Sequence, residues 1–206
     1  DLFNRGRIEG SLESSPSELS LEEAYKVQDR VAELRLENGE EIVGYKVGCT
    51  SRAIREQFGL DEPISGRLFS PHVYQEGISL RRVDYVNCSI EPEMVLKIGQ
   101  DLIGEELGDA ALIDGIEWVS PGIEVHHFKF WHSPVSSQEL ILSNGIHACL
   151  VVGESRVSPT TLSFRSEEFR VIMNGQLTAS GMASEIMGSP IESLRRLVGQ
   201  LTRRGG

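Results

Sequence analysis

The chain lacks what a disulfide scaffold or a zinc module needs. Its 206 residues hold three cysteines, Cys49, Cys88 and Cys149, an odd set with no C-x-x-C spacing. A complete disulfide framework is therefore not expected, and a reducing compartment, the cytoplasm, is the simplest setting. Basic residues are also few: 20 Lys and Arg stand against 31 Asp and Glu, a formal net charge of -11. They cluster no more tightly than Arg81-Arg82, Arg195-Arg196 and Arg203-Arg204. A surface of that sign repels a phosphate backbone, so no nucleic-acid partner is expected. No apolar run approaches the roughly 20 residues of a membrane helix, so no membrane partner is expected either. A G-x-S-x-G elbow, a P-loop and a G-x-G-x-x-G turn are all missing, which argues against serine hydrolase, nucleoside triphosphate and dinucleotide chemistry. No charged stretch followed by an apolar one opens the chain as in a signal peptide. A start on Asp1 instead of Met suggests trimming or a removed targeting segment.

What is present suits a soluble globular chain: 39% apolar and 25% charged residues, with 21 Gly and 8 Pro. Residues 1–20 form a polar N-terminal segment, and residues 21–206 are expected to make a single domain of catalytic type. Ser20-Leu21-Glu22-Glu23 has capping-box spacing and opens a helix with an apolar stripe of Ala24, Val27, Val31, Leu34 and Leu36 that stops at Gly39. Alternation of Val43, Tyr45, Val47 and Cys49 with Gly44, Lys46 and Gly48 predicts a strand. Thr50 or Ser51 caps a short helix ending at Gly59. Further strands are read in NCSIEPEMVLKIG, EWVSPGIEVHH, GIHACLVVG and FRVIMNGQLTASG, the last a hairpin turning at Asn174-Gly175. Helices are expected in EELGDAALIDGI and after Ser189, with Pro190 at the first position. The class is α+β and β-rich, without regular strand-helix alternation. An ending just past a helix suggests that structure is missing at the C-terminus.

Chemistry concentrates in Ser89-Ile90-Glu91-Pro92-Glu93. On a strand, Glu91 and Glu93 share a face, where they repel unless a cation lies between them. A hard divalent ion such as Mg²⁺ or Mn²⁺ meets that need, and a solvated strand face is the alternative. Glu124, set between Ile123 and Val125, turns either to solvent or inward to a partner, and with Glu91 and Glu93 it would complete a set of three carboxylates. Lys46, bracketed by Gly44 and Gly48, has space beside it for a ligand. It is either a surface lysine on a glycine-rich edge or a site residue that pairs with a substrate carboxylate, or loses its proton on desolvation, and serves the site instead of the fold. His126, His127, His132 and His147 match no zinc pattern. They are expected to be ordinary polar or interface residues, with His126 or His127 available as acid or base.

Taken together, GYKVGCTS, FGLDEPISGRLF, SIEPEMVLKIGQDL, SPGIEV and SGMASEIMGSP resemble the 2-keto-4-pentenoate hydratase group of the fumarylacetoacetate hydrolase superfamily. The resemblance implies a β-rich mixed fold around a rolled sheet, fumarylacetoacetate hydrolase-like, and a homo-oligomer. It also implies a Mg²⁺ or Mn²⁺ cofactor and a small-molecule 2-oxo acid bound to it. Carried over by position, Glu91, Glu93 and Glu124 are the metal ligands and Lys46 the active-site lysine. Asn144 and Ser184 fall on substrate-binding positions, the latter followed by Glu185. Three positions depart from the group's pattern. Ile64 stands where an acidic residue is usual, Ser143 replaces the acid before Asn144, and Ser189 replaces a His. The implied activity is hydration of a 2-hydroxydienoate to a 4-hydroxy-2-oxo acid. Decarboxylation of a 2-oxo diacid is the nearest alternative, and a non-catalytic metal and oxo-acid binding relative the third.

Overall fold

The computed structural model describes residues 15–132 and 134–205, so most of the polar N-terminal segment and the last residue lie outside the described residues. Helix α1 (Leu21–Glu37) starts as its spacing predicts: Ser20 Oγ accepts from Glu23 N at 3.2 Å, and the Glu23 carboxylate accepts from Ser20 N at 2.8 Å. Its buried face is not the expected one. Ala24, Gln28 and Ala32 turn inward, while Val27, Val31, Leu34 and Leu36 stay exposed. Gln28 decides the rotation, because its amide donates to Ser65 O at 3.0 Å and Ile141 O at 2.7 Å. Two buried carbonyls are satisfied that way, and leaving them bare would cost more than exposing a few aliphatic groups.

Strand β1 (Ile42–Gly48) and strand β2 (Ile64–Phe69) form an antiparallel pair with Lys46 opposite Gly66. Between them lies helix α2 (Arg52–Phe58). Ser51, not Thr50, caps it by accepting from Ile54 N at 3.2 Å, and Gly59 ends it in the left-handed region at φ 62°. The short strand β3 (Val73–Gln75) then joins a four-stranded sheet with β4 (Ser89–Ile98), β5 (Ile116–His126) and β6 (His147–Val152), in the order β3-β6-β5-β4. Among the described residues of this sheet only the β3–β6 pair is parallel. Helix α3 (Asp109–Asp114) connects β4 to β5, and helix α4 (Ser137–Leu142) connects β5 to β6. The hairpin of β7 (Glu168–Met173) and β8 (Gln176–Met182) turns as predicted, with Asn174 at φ 52° and Gly175 at φ 77°. Helix α5 (Pro190–Arg203) follows, capped by Ser189 Oγ, which accepts from Ile191 N at 3.2 Å. No sheet closes into a barrel among the described residues.

Two apolar clusters brace this frame. Leu112, Ile116, Val119 and Phe164 pack against Ile191, Leu194 and Val198 of α5. Ala24, Leu60, Ile64, Leu140 and Ile141 form the other, beneath the β1–β2 pair. Ile64 thus serves as core at the position where the sequence departs from an acidic pattern.

Candidate active site

The site grows from sheet register. Glu91 on β4 lies directly opposite Glu124 on β5. Glu93 follows two residues later on the same face, opposite Gly122. Like charges facing across a strand pair are destabilising unless something compensates. A Cβ on Gly122 would lie 2.6 Å from Val95 Cγ2, so glycine there lets the strands meet closely.

Compensation for Glu124 comes from nitrogen. Lys46 reaches from β1 to place Nζ 2.6 Å from Glu124 Oε1. His147 Nδ1 stands 2.5 Å from the same oxygen, and His126 Nε2 stands 3.1 Å from Oε2. Burial alone would raise the Glu124 pKa, but the Lys46 ammonium and then the two imidazoles hold it well below the carboxylate range. Burial likewise works against the charge on Lys46. The attraction of Glu124, with Glu93 and Glu91 behind it, prevails and raises its pKa. Lys46 is therefore an ammonium at neutral pH and not a free base. As a partner of the buried carboxylate it also belongs to the fold.

Glu93 behaves in the opposite way. Desolvation, and next the charge of Glu124, push it up to about 8. With no ion present, the pair therefore favours a protonated Glu93 beside an ionised Glu124 below about pH 8. The arrangement suits a cation, since Glu91, Glu124 and His126 offer donor atoms all within 4.8 Å of one another.

A strained loop completes the lysine's surroundings. Asn144, Gly145 and Ile146 adopt φ of 59°, 65° and 54°, and a β-branched residue rarely accepts that region. The turn brings Gly145 O to 3.5 Å from Lys46 Nζ. Asn144 holds the turn in place: its Oδ1 accepts from Arg67 N at 2.7 Å and its Nδ2 donates to Arg67 O at 2.9 Å. Gly66 leaves room for this clip, since a Cβ there would lie 2.8 Å from Asn144 Oδ1. The amide of Asn144 is thereby committed to the backbone. Ser143 caps α4 and donates to Leu140 O at 3.1 Å.

Of the residues read from the sequence, Lys46, Glu91, Glu93 and Glu124 come together. Ser184 lies exposed in the turn Ala183–Glu185, and its neighbour Glu185 lines a cavity of about 260 Å³ with Thr50, Ser51, Pro92 and Phe169. His127 accepts from Val86 N through Nδ1 at 3.1 Å, and burial lowers its pKa. His147 has no motif to mark it. It is 3% exposed, its Nε2 has no hydrogen-bond partner among the described residues, and it lines a second cavity, also about 260 Å³. Its place beside Glu124 follows from the pairing of His126 with His147 across a bulge between β5 and β6, a nonlocal fact with no signal in the local sequence.

No family model matches the chain. Curated proteins do. It is 25% identical over 203 residues to a 2-hydroxyhexa-2,4-dienoate hydratase of Comamonas testosteroni, covering 98% of this chain and 77% of that protein. It is 28% identical to a 2-hydroxypent-2,4-dienoate hydratase of Pseudomonas putida, covering 94% and 88%. With a 4-oxalocrotonate decarboxylase of a Pseudomonas species it shares 30% over 178 residues, covering 85% and 68%. Among solved structures, 4-oxalocrotonate decarboxylase from Pseudomonas putida G7, complexed with magnesium and adipate, matches with a TM-score of 0.84 at 24% identity, covering 92% of this chain and 72% of that one. The fold is the same as that neighbour's, fumarylacetoacetate hydrolase-like as the sequence motifs imply.

Proposed function

Because this chain belongs to the family of 2-keto-4-pentenoate hydratases and 4-oxalocrotonate decarboxylases, we propose that it is a divalent-metal-dependent hydratase of a small 2-hydroxydienoate. The product would be a 4-hydroxy-2-oxo acid. The observation that carries the reading is the facing pair Glu91 and Glu124, with Glu93 alongside and Lys46 against Glu124. Carboxylates so placed fit Mg²⁺ or Mn²⁺, and magnesium or calcium is present in structures of the solved neighbour.

A bound ion supplies Lewis-acid stabilisation of the negative charge that develops at the 2-oxo oxygen. The chain's own residues do the rest. Lys46 and His147 fix the rotamer of Glu124, so one oxygen stays aimed at the ion site. Lys46, as an ammonium, also offers positive charge to a substrate carboxylate. Glu93 surrenders its proton when a cation arrives, which makes ion binding and proton release one event. Asn144 acts from behind, through the turn that carries Gly145. Substrate binding by Asn144 and Ser184 would require their side chains to engage the oxo acid directly.

Decarboxylation of a 2-oxo diacid is the second reading. Position 64 favours it, because Ile64, paired with Gly48 of the strand that carries Lys46, is buried alkyl and offers no group to deliver or orient water. The same side chain favours, more weakly, a relative that binds ion and oxo acid without turnover. The deciding experiment incubates the full chain and Mn²⁺ with a panel of 2-hydroxydienoates and 2-oxo diacids, following dienol absorbance and released CO₂. Dienol loss without CO₂ is the expected result. CO₂ release moves the assignment to decarboxylase, and silence with intact ion binding overturns catalysis altogether.

A further inference from the structure

His126 is the donor in this cluster whose placement hydrogen bonding leaves unexplained. It is 5% exposed, and its buried Nε2 has no hydrogen-bond partner among the described residues. That nitrogen nevertheless stands 3.1 Å from Glu124 Oε2, within ion-pair distance but not hydrogen-bonded to it. Buried ring nitrogens are normally satisfied, so an orphan directed at a carboxylate oxygen calls for a third party. Two donors on one ion, each about 2.1 Å from it, sit roughly 3.0 to 3.4 Å apart when they occupy adjacent coordination positions. The Nε2 to Oε2 separation falls in that interval. The other ring nitrogen, Nδ1, faces Glu91 Oε1 at 4.0 Å, so the imidazole lies between the two facing carboxylates.

We infer that His126 is a direct nitrogen ligand of the ion held by Glu91 and Glu124, so that this site prefers first-row transition ions, Mn²⁺, Co²⁺ or Zn²⁺, to Mg²⁺. The inference rests on the proposed ion site and deepens it. Imidazole adds little for a hard ion that favours oxygen and water, and much for ions further along the Irving–Williams order. The fold supplies the ligand economically, because His126 follows Glu124 by two residues on the same strand and so shares its face. The β5–β6 bulge at this step has its extra residue, Ala148, on β6, so β5 keeps its alternation from Glu124 to His126. His147, by contrast, spends Nδ1 on Glu124 Oε1, as a group that orients a ligand does.

The test is pulsed electron paramagnetic resonance of the full chain loaded with Mn²⁺, prepared once with natural histidine and once with ¹⁵N-histidine. Modulation from a directly bound nitrogen that changes with the label is expected in the wild type and is expected to vanish in His126→Gln, while His127→Gln keeps it. The wild-type spectrum alone suffices if the variant fails to fold. Calorimetry gives a second readout. His126→Gln should lose more Mn²⁺ affinity than the roughly 10- to 100-fold that an outer-shell partner costs, with Mg²⁺ affinity little changed. Mn²⁺ bound without nitrogen modulation, or equal losses for both ions, overturns the inference and leaves the carboxylate site standing. Absence of any divalent-ion binding overturns both.

Discussion

Glu124 is buried with three nitrogen groups around it, and its partners determine what each substitution does. Lys46 is 11% exposed at its side chain and Glu124 3%, so their pair lies out of water. Breaking a buried pair by removing one partner typically costs about 3–5 kcal/mol. Lys46→Met should therefore lower the melting temperature of the ion-free protein as well as abolish turnover. Added Mn²⁺ should restore much of the stability and none of the activity, which thermal melts beside the dienol assay would reveal. Unchanged stability would mean that the ion pair is not maintained in solution. Glu93 supports a different measurement. Its pKa is raised to about 8 by desolvation and by Glu124, so below that pH an incoming ion must displace a proton. Mn²⁺ affinity should climb from pH 6 to pH 8, by up to about tenfold per unit, and level off above. Calorimetry in buffers of different ionisation heat should detect one proton released. Glu93→Gln should bind Mn²⁺ far more weakly and without that slope, and an unchanged affinity would remove Glu93 from the site.

At the scale of elements, the strands carrying the site were legible and their companions were not. Glu91 and Glu93 announce themselves because alternation on a strand puts i and i+2 on one face, and Lys46 because glycines bracket it. The Asn174-Gly175 turn and the caps at Ser20, Ser51 and Ser189 are local chemistry, and each forms. β2 and α4 carry no such pattern: Ile64, Ser65 and Gly66 are buried together, and α4 is a six-residue helix whose fully buried Glu139 accepts from Trp131 N. The apolar stripe of α1 misled because the partners of Gln28 are 37 and 113 residues away. Asn144 shows how position and role can part. Its motif suggests contact with substrate, whereas its amide joins the β6-side turn to β2 through Arg67. Asn144→Ala leaves two backbone groups without their partner, at about 1–3 kcal/mol each where they are buried. The expected outcome is a lower melting temperature and a fall in kcat as Gly145 and Lys46 lose their alignment. KM should move little. A raised KM with intact stability would instead assign Asn144 to the substrate.

Over the whole molecule, an excess of 11 negative charges surrounds a sheet that already sets Glu91 against Glu124, so the ion-free chain carries an electrostatic burden that depends on pH. The sign follows from Glu93. Its folded pKa, about 8, exceeds its ordinary value of 4.5, so the protonated form is the one that folding favours. The stabilisation is complete below pH 4.5 and is lost progressively as pH rises through 8. Glu124 has the opposite shift, held well below the carboxylate range, so its contribution is full well above pH 4.5 and is lost progressively as pH falls below that value. Between pH 6 and 8.5 the melting temperature of the ion-free protein should therefore fall. A bound divalent ion changes this, because Glu93 is then already ionised and compensated. At 100 times its dissociation constant an ion adds about 2.7 kcal/mol, or roughly 5 to 11 °C for a chain of this length. That gain should be larger at pH 8 than at pH 6. Melts with and without Mn²⁺ across this range are the check, with Glu93→Gln as the control whose ion-free curve should be flatter. A wild-type curve that falls equally with and without Mn²⁺ would attribute the loss to general charge repulsion and not to the two coupled carboxylates.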